Sequence, residues 1–168
     1  MKGTSEVEIP EIRVARILRE TPLIDGHNDL PYTINKYLDD DLSRLHLEDL
    51  TLEDPWKSSM WSHTDIKRLR EGRVGAQFWV SFIFCNGTRN YTKYALDRIE
   101  VIHQFVDKYP DTFSWADSVA GIRAAFKAGK IASLIGIENG QAIGNNRHEE
   151  EYSLRALRDF YDKGVRYS

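Results

Sequence analysis

Apolar residues recur along this 168-residue chain in two rhythms, one helical and one extended, and their alternation predicts its layout. Ile12, Val14, Ala15, Ile17 and Leu18 follow Pro10 at helical spacing, which predicts a short amphipathic helix over Pro10 to Glu20, halted by Thr21-Pro22. Leu23 and Ile24 predict a short buried strand reaching Asp25, after which Gly26 lets the backbone turn. A second short helix is expected over Pro31 to Leu38. From Asp39 to Met60 no period emerges. The stretch is acidic, with Leu45, Leu47, Leu50 and Leu52 spaced along it, and predicts a long surface loop held by anchoring leucines. In an enzyme such a loop lies at the mouth of the site.

Thr64 is expected to cap a helix over Asp65 to Glu71 that stops at Gly72. Val74 to Phe84 is apolar almost throughout, the pattern of a strand buried on both faces, and this favours a parallel sheet covered by helices. Gly75 and Ala76 near its start predict close backbone packing. Leu96, Ile99, Val101, Ile102, Phe105 and Val106 keep helical spacing within a helix over Tyr94 to Tyr109, ended by Pro110, with His103 a partly buried helix residue. Asp117 or Ser118 caps a helix through Lys127, with Gly129 as its stop. Ile131 to Glu138 reads as a third buried strand, Gln141 to His148 as a loop, Glu149 to Lys163 as a helix, and Gly164 to Ser168 as the start of a fourth strand. Repeated strand and helix units with right-handed crossovers give an α/β fold, a parallel sheet with flanking helices.

Composition narrows the picture. With 168 residues, 41% of them hydrophobic, the chain can build one domain with a real core. The net charge of −3 and the mixing of signs, as in Lys67-Arg68-Leu69-Arg70-Glu71, give no sign of a nucleic-acid partner. No apolar run reaches the roughly 18 residues of a membrane span, and the start has no signal-peptide core, so any membrane attachment or secretory signal would lie outside these residues. The single cysteine, Cys85, is either a buried thiol or half of a bridge whose partner is absent. Two glycosylation triplets follow it, Asn86-Gly87-Thr88 and Asn90-Tyr91-Thr92, and together with the odd cysteine they lean toward the secretory pathway.

The candidate chemistry lies at strand ends. Side chains alternate along an extended chain, so His27 and Asp29 project from one face while Asn28 points away. One nitrogen and one oxygen ligand side by side make half a site for zinc or its first-row neighbours; the plain alternative is a solvated turn with a capping aspartate. Glu138 closes the third strand, where it could simply cap the loop that follows. Both positions fall just past the carboxyl ends of apolar strands, the place where catalytic groups converge in parallel α/β proteins. His63-Thr64-Asp65 offers a second His-x-Asp pair, set against the cap reading of Thr64.

Five blocks in order carry a resemblance: Ile-Asp-Gly-His-Asn-Asp-Leu-Pro (24–31), Gly-Ala-Gln-Phe-Trp (75–79), Ala-Gly-Ile-Arg-Ala-Ala-Phe (120–126), Gly-Lys-Ile-Ala-Ser-Leu-Ile-Gly-Ile-Glu (129–138) and Gly-Val-Arg-Tyr (164–167). From about Glu11 onward the chain resembles the membrane (renal) dipeptidase family of zinc peptidases. The resemblance implies the N-terminal half of a (β/α)8 barrel, with residues 1–168 a partial domain truncated at its C-terminal end. It implies two zinc ions per complete site, His27 and Asp29 as ligands of one, and Glu138 as the catalytic bridge between both. It further implies a dipeptide substrate, a homodimer, a lipid (GPI) anchor on the extracellular face, and a disulfide from Cys85 to a cysteine beyond the chain end. By the same resemblance the second-zinc histidines, the carboxylate-binding arginine and an acidic proton donor lie outside these residues, so the chain alone is expected to be inactive. Many members read Glu-Gly-Gly-His where this chain has Glu138-Asn139-Gly140-Gln141. Another amidohydrolase-type metal hydrolase, such as a deaminase or lactonase, and a non-catalytic surface receptor on the same scaffold stand as alternatives.

Overall fold

A computed structural model of the chain describes residues 9–84, 90–143 and 150–168. Its centre is an all-parallel five-stranded sheet. The strands are β1 (Leu23–Asn28), β2 (Val74–Phe82), β3 (Phe113–Trp115), β4 (Ile131–Glu138) and β5 (Val165–Tyr167). β1 pairs with β2 and β2 with β4, while β3 and β5 both pair with β4. β2 occupies one edge of β4 from Ala132 to Glu138, so β3 and β5 share the other edge end to end, at Ile131–Ser133 and Ile135–Gly136. The expected sheet of four strands therefore has five. β3 escaped the sequence reading because three residues show no period; buried Phe113 and the ladder to β4 hold it in place.

The helices are α1 (Pro10–Glu20), α2 (Leu30–Leu38), α3 (Ile66–Glu71), α4 (Tyr91–Lys108), α5 (Val119–Lys127) and α6 (Glu150–Asp162). Their starts follow capping chemistry. Asn90 accepts from the Lys93 N–H and Ser118 from the Gly121 N–H, so α4 begins three residues before the predicted Tyr94 and Ser118, not Asp117, caps α5. Thr64 does not cap α3. Asp65 does: it is the extended residue just ahead of the helix, and its carboxylate accepts from the Arg68 N–H.

β2 and β4 are buried almost throughout, as continuous apolar runs between two layers should be. On one side of the sheet Trp79, Phe105 and Phe113 meet edge to face, with centroids 5.1, 5.7 and 6.2 Å apart, and the Trp79 indole donates to the buried Ser133 hydroxyl at 3.1 Å. The long segment 39–60 carries three 3-10 turns, and three of its four expected anchors hold: Leu45, Leu47 and Leu50 are buried with Trp56, whereas Leu52 is exposed and anchors nothing. The Tyr109 hydroxyl pins this segment, donating to the Leu45 carbonyl and accepting from the Leu47 N–H, both at 2.9 Å. Gly75 fits the predicted close packing, since a Cβ there would lie 2.7 Å from the Pro22 Cβ.

The burial expected of the first strand fails as well. Leu23 and Ile24 are 42% and 46% exposed rather than buried. Among the described residues β1 pairs only with β2, so it forms the sheet edge and no second layer covers its apolar side chains. The helix preceding it, α1, likewise buries none of its residues.

Candidate metal centre

The site is built at the carboxyl ends of β1 and β4. Along β1 the register to β2 slips: Asp25 faces Gln77 and Asn28 faces Trp79, so β1 takes three residue steps where β2 takes two. The extra residue makes a bulge at Gly26-His27, the device by which edge strands re-aim a side chain. Around it the polar groups are divided. The Asp25 carboxylate accepts from the His27 N–H at 3.1 Å. Asn28 accepts from the Leu30 N–H at 3.0 Å and donates to the Thr64 hydroxyl at 2.9 Å and the Gln77 side-chain oxygen at 3.4 Å. Buried Gln77 in turn donates to the carbonyls of Asp25 and Phe78. Asp29 holds the N-cap position of α2, yet its carboxylate makes no capping bond. Glu138 ends β4 opposite Phe82, and the chain turns at Asn139, which takes a φ of 93° and donates to the Ile83 carbonyl.

These arrangements bring His27, Asp29 and Glu138 together. His27 Nε2 lies 3.1 Å from Glu138 Oε2 and 3.5 Å from Asp29 Oδ2, and one donor atom from each residue lies within 4.8 Å of the others. A tetrahedral zinc site with bonds near 2.0–2.1 Å spaces its donors by about 3.3–3.4 Å. The two imidazole–carboxylate distances bracket that value. Among the described residues neither carboxylate has a lysine or arginine ion pair, so two acids face each other across an imidazole, a charge balance that a divalent cation would complete. The donor set thus fits such an ion chemically and spatially.

The cluster opens into a cavity of about 830 Å³, walled on one side by the edge-to-face rings of Tyr32, Phe82 and Phe84 and also lined by Lys36 and Trp61. Tyr167 stands beside it: its hydroxyl donates to the Gly26 carbonyl at 2.7 Å and its ring lies 5.1 Å from that of Phe78. Burial pushes the Tyr167 phenol above its ordinary pKa, and the nearby charges of Glu138, Asp29 and Asp25 add to the effect.

The other sequence candidates go elsewhere. Asp65 is fully buried and accepts from the Arg68 N–H, the Arg68 Nε and the Leu50 N–H, at 2.8, 2.9 and 3.1 Å. The His63 ring bonds the Met60 carbonyl at 2.8 Å, so the second His-x-Asp pair joins no ligand cluster among the described residues. Asn90 is described as the cap of α4, whereas Cys85 and Asn86 lie outside the described residues. Tyr167 and Gln77 were not singled out from sequence. Both sit inside ordinary strand patterns, and only the pairing of strands reveals what they reach.

Parallel strands whose carboxyl ends gather an imidazole and two acids define a class, the α/β proteins with a candidate metal site on the strand-end rim. A model of the membrane dipeptidase family (peptidase family M19) matches residues 11–168, and the chain belongs to that family. Solved structures share the fold. A metallopeptidase from Rhodobacter sphaeroides, liganded with a phosphinate mimic of the dipeptide L-Ala-D-Ala, is 18% identical with a TM-score of 0.65; the match covers 86% of this chain and 44% of that one. Dipeptidase AC, described as a metallopeptidase of family M19, is 20% identical with a TM-score of 0.64, over 86% of this chain and 41% of that one. The probable dipeptidase PvdM from Pseudomonas aeruginosa is 17% identical with a TM-score of 0.63, over 95% and 38%. Each match thus covers under half the length of these structures. Among the described residues no helix is long and apolar enough to cross a membrane.

Proposed function

We propose that the chain contributes the first ligands of a zinc metallodipeptidase, with His27, Asp29 and Glu138 holding metal and Glu138 bridging two ions. The observation that carries this reading is the convergence of three donors from β1 and β4 at zinc-compatible spacing, in a chain of the membrane dipeptidase family. A dipeptide amide is a poor electrophile and water a poor nucleophile. The metal, when bound, supplies Lewis acidity that corrects both near neutral pH. The protein's part is placement. Glu138 offers two carboxylate oxygens from one rigid strand end, His27 a single nitrogen aimed by the bulge, and Asp29 a carboxylate not spent on capping. The aromatic wall of Tyr32, Phe82 and Phe84 offers an apolar face to substrate and keeps bulk water from that side of the cavity.

Three donors are too few for two ions, and the matches cover only 38–44% of the solved relatives. Residues 1–168 are therefore assigned to the amino-terminal part of a barrel whose remaining ligands and substrate-binding groups come from further chain. The odd cysteine and the triplets at Asn86 and Asn90 support a glycosylated extracellular protein with Cys85 in a bridge. Family membership supports a lipid-anchored homodimer.

The test is substitution in the complete protein. His27→Ala and Glu138→Gln are expected to lower dipeptide kcat/KM by several orders of magnitude and to release zinc, with the far-ultraviolet circular dichroism unchanged. Near-wild-type turnover by either variant would refute the assignment.

A further inference from the structure

We infer that Tyr167 is a positioning residue for His27, a phenol strut reaching from β5 across the sheet to the bulged tip of β1. The inference rests on the metal reading of His27 and deepens it. At the bulge, Gly26 and His27 fall out of register with β2, and β1 has no second neighbour among the described residues. A bulge leaves its extra residue without a ladder partner, so the carbonyl there needs a donor from elsewhere. Here the Gly26 carbonyl instead accepts the Tyr167 hydroxyl at 2.7 Å, from a residue 141 positions away in sequence.

The ring's path is fixed along its length. β5 pairs with β4 by setting Tyr167 opposite Gly136, and a Cβ on Gly136 would fall in the space that the Tyr167 ring occupies. Only a residue without a side chain lets the ring lie flat across β4. Beyond Gly136 the ring rests against Phe78 of β2, and its hydroxyl ends on β1. Three strands therefore hold one phenol whose oxygen bonds the peptide unit that joins Gly26 to His27. Outer partners of this kind orient a ligand without touching the ion, and their loss weakens metal binding about 10–100-fold.

Tyr167→Phe removes the hydroxyl and keeps the ring against Phe78 and Gly136. Two readouts on the protein decide the matter. The first is zinc and cobalt affinity by chelator competition, with the cobalt absorption spectrum as a report on ligand geometry; the second is amide hydrogen exchange at His27 and Asn28. The variant is expected to bind both ions about 10–100-fold more weakly, with a shifted cobalt spectrum, and to exchange those amides about tenfold faster. A merely structural role would lower the melting temperature and leave the affinity of the folded protein untouched. Unchanged exchange overturns the inference, as does unchanged affinity where the wild type binds metal. Faster exchange in a protein whose wild type binds no cation would sink the metallopeptidase reading and leave the strut standing.

Discussion

Asp29 and Asp65 share a local motif, each standing two residues after a histidine and just ahead of a helix, yet they meet opposite fates. Asp65 is buried and spends its carboxylate on the α3 cap, the Arg68 guanidinium and the Leu50 N–H. Asp29 stays half-exposed beside His27: the second residue of its helix is Pro31, which has no N–H to offer, and the Leu30 N–H goes to Asn28. The difference lies in what the first turn of each helix and its surroundings offer the carboxylate. Removing the Asp65 carboxylate strips a helix cap and leaves a buried N–H and an arginine without their acceptor. Asp65→Ala is therefore expected to cost about 2–4 kcal/mol, measured by urea unfolding. A loss below about 0.5 kcal/mol, the range of ordinary surface changes, would contradict the role given to it.

At the scale of elements, β2 and β4 were legible as unbroken apolar runs of eight residues or more, and the helices α2, α4, α5 and α6 from apolar residues at helical spacing. β3 was not, since its three residues are defined by the ladder to β4. The exposure of β1 was illegible for a different reason: Leu23 and Ile24 are apolar enough for a core, and only the sheet order makes them an edge. The bulge that aims His27 is likewise a property of pairing. The long 39–60 segment shows a related limit: its leucine anchors could be read, but not the charges that fasten it to α3. There Lys67 donates to Asp49 at 2.7 Å. Hydrogen bonds from Lys67 first and Thr51 second hold the Asp49 carboxyl down at about 2. Because this pKa lies below the ordinary value of about 3.9, the contribution is fully present above pH 4 or so and fades as pH falls toward 2. Carbon-detected NMR titration should give an Asp49 midpoint of about 2. Lys67→Met should return it toward about 3.9. An unmoved midpoint in that variant would contradict the pairing.

At the scale of the whole molecule, the parallel sheet does one thing for function: it carries residues more than a hundred positions apart to a common rim. His27 and Asp29 arrive from its edge, Glu138 from its buried centre, and Tyr167 ties the two together from the far side of β4. That convergence was readable from sequence because His27, Asp29 and Glu138 each follow a recognisable strand. Tyr167 was not, because its partner carbonyl belongs to a bulge. The most direct test of the account is anomalous scattering at the zinc edge from crystals of the complete protein. A peak about 2.0–2.2 Å from His27 Nε2 and from carboxylate oxygens of Asp29 and Glu138 is the predicted result. A zinc-loaded crystal with no peak among these three side chains, or with Glu138 turned away from His27 and Asp29, would contradict it.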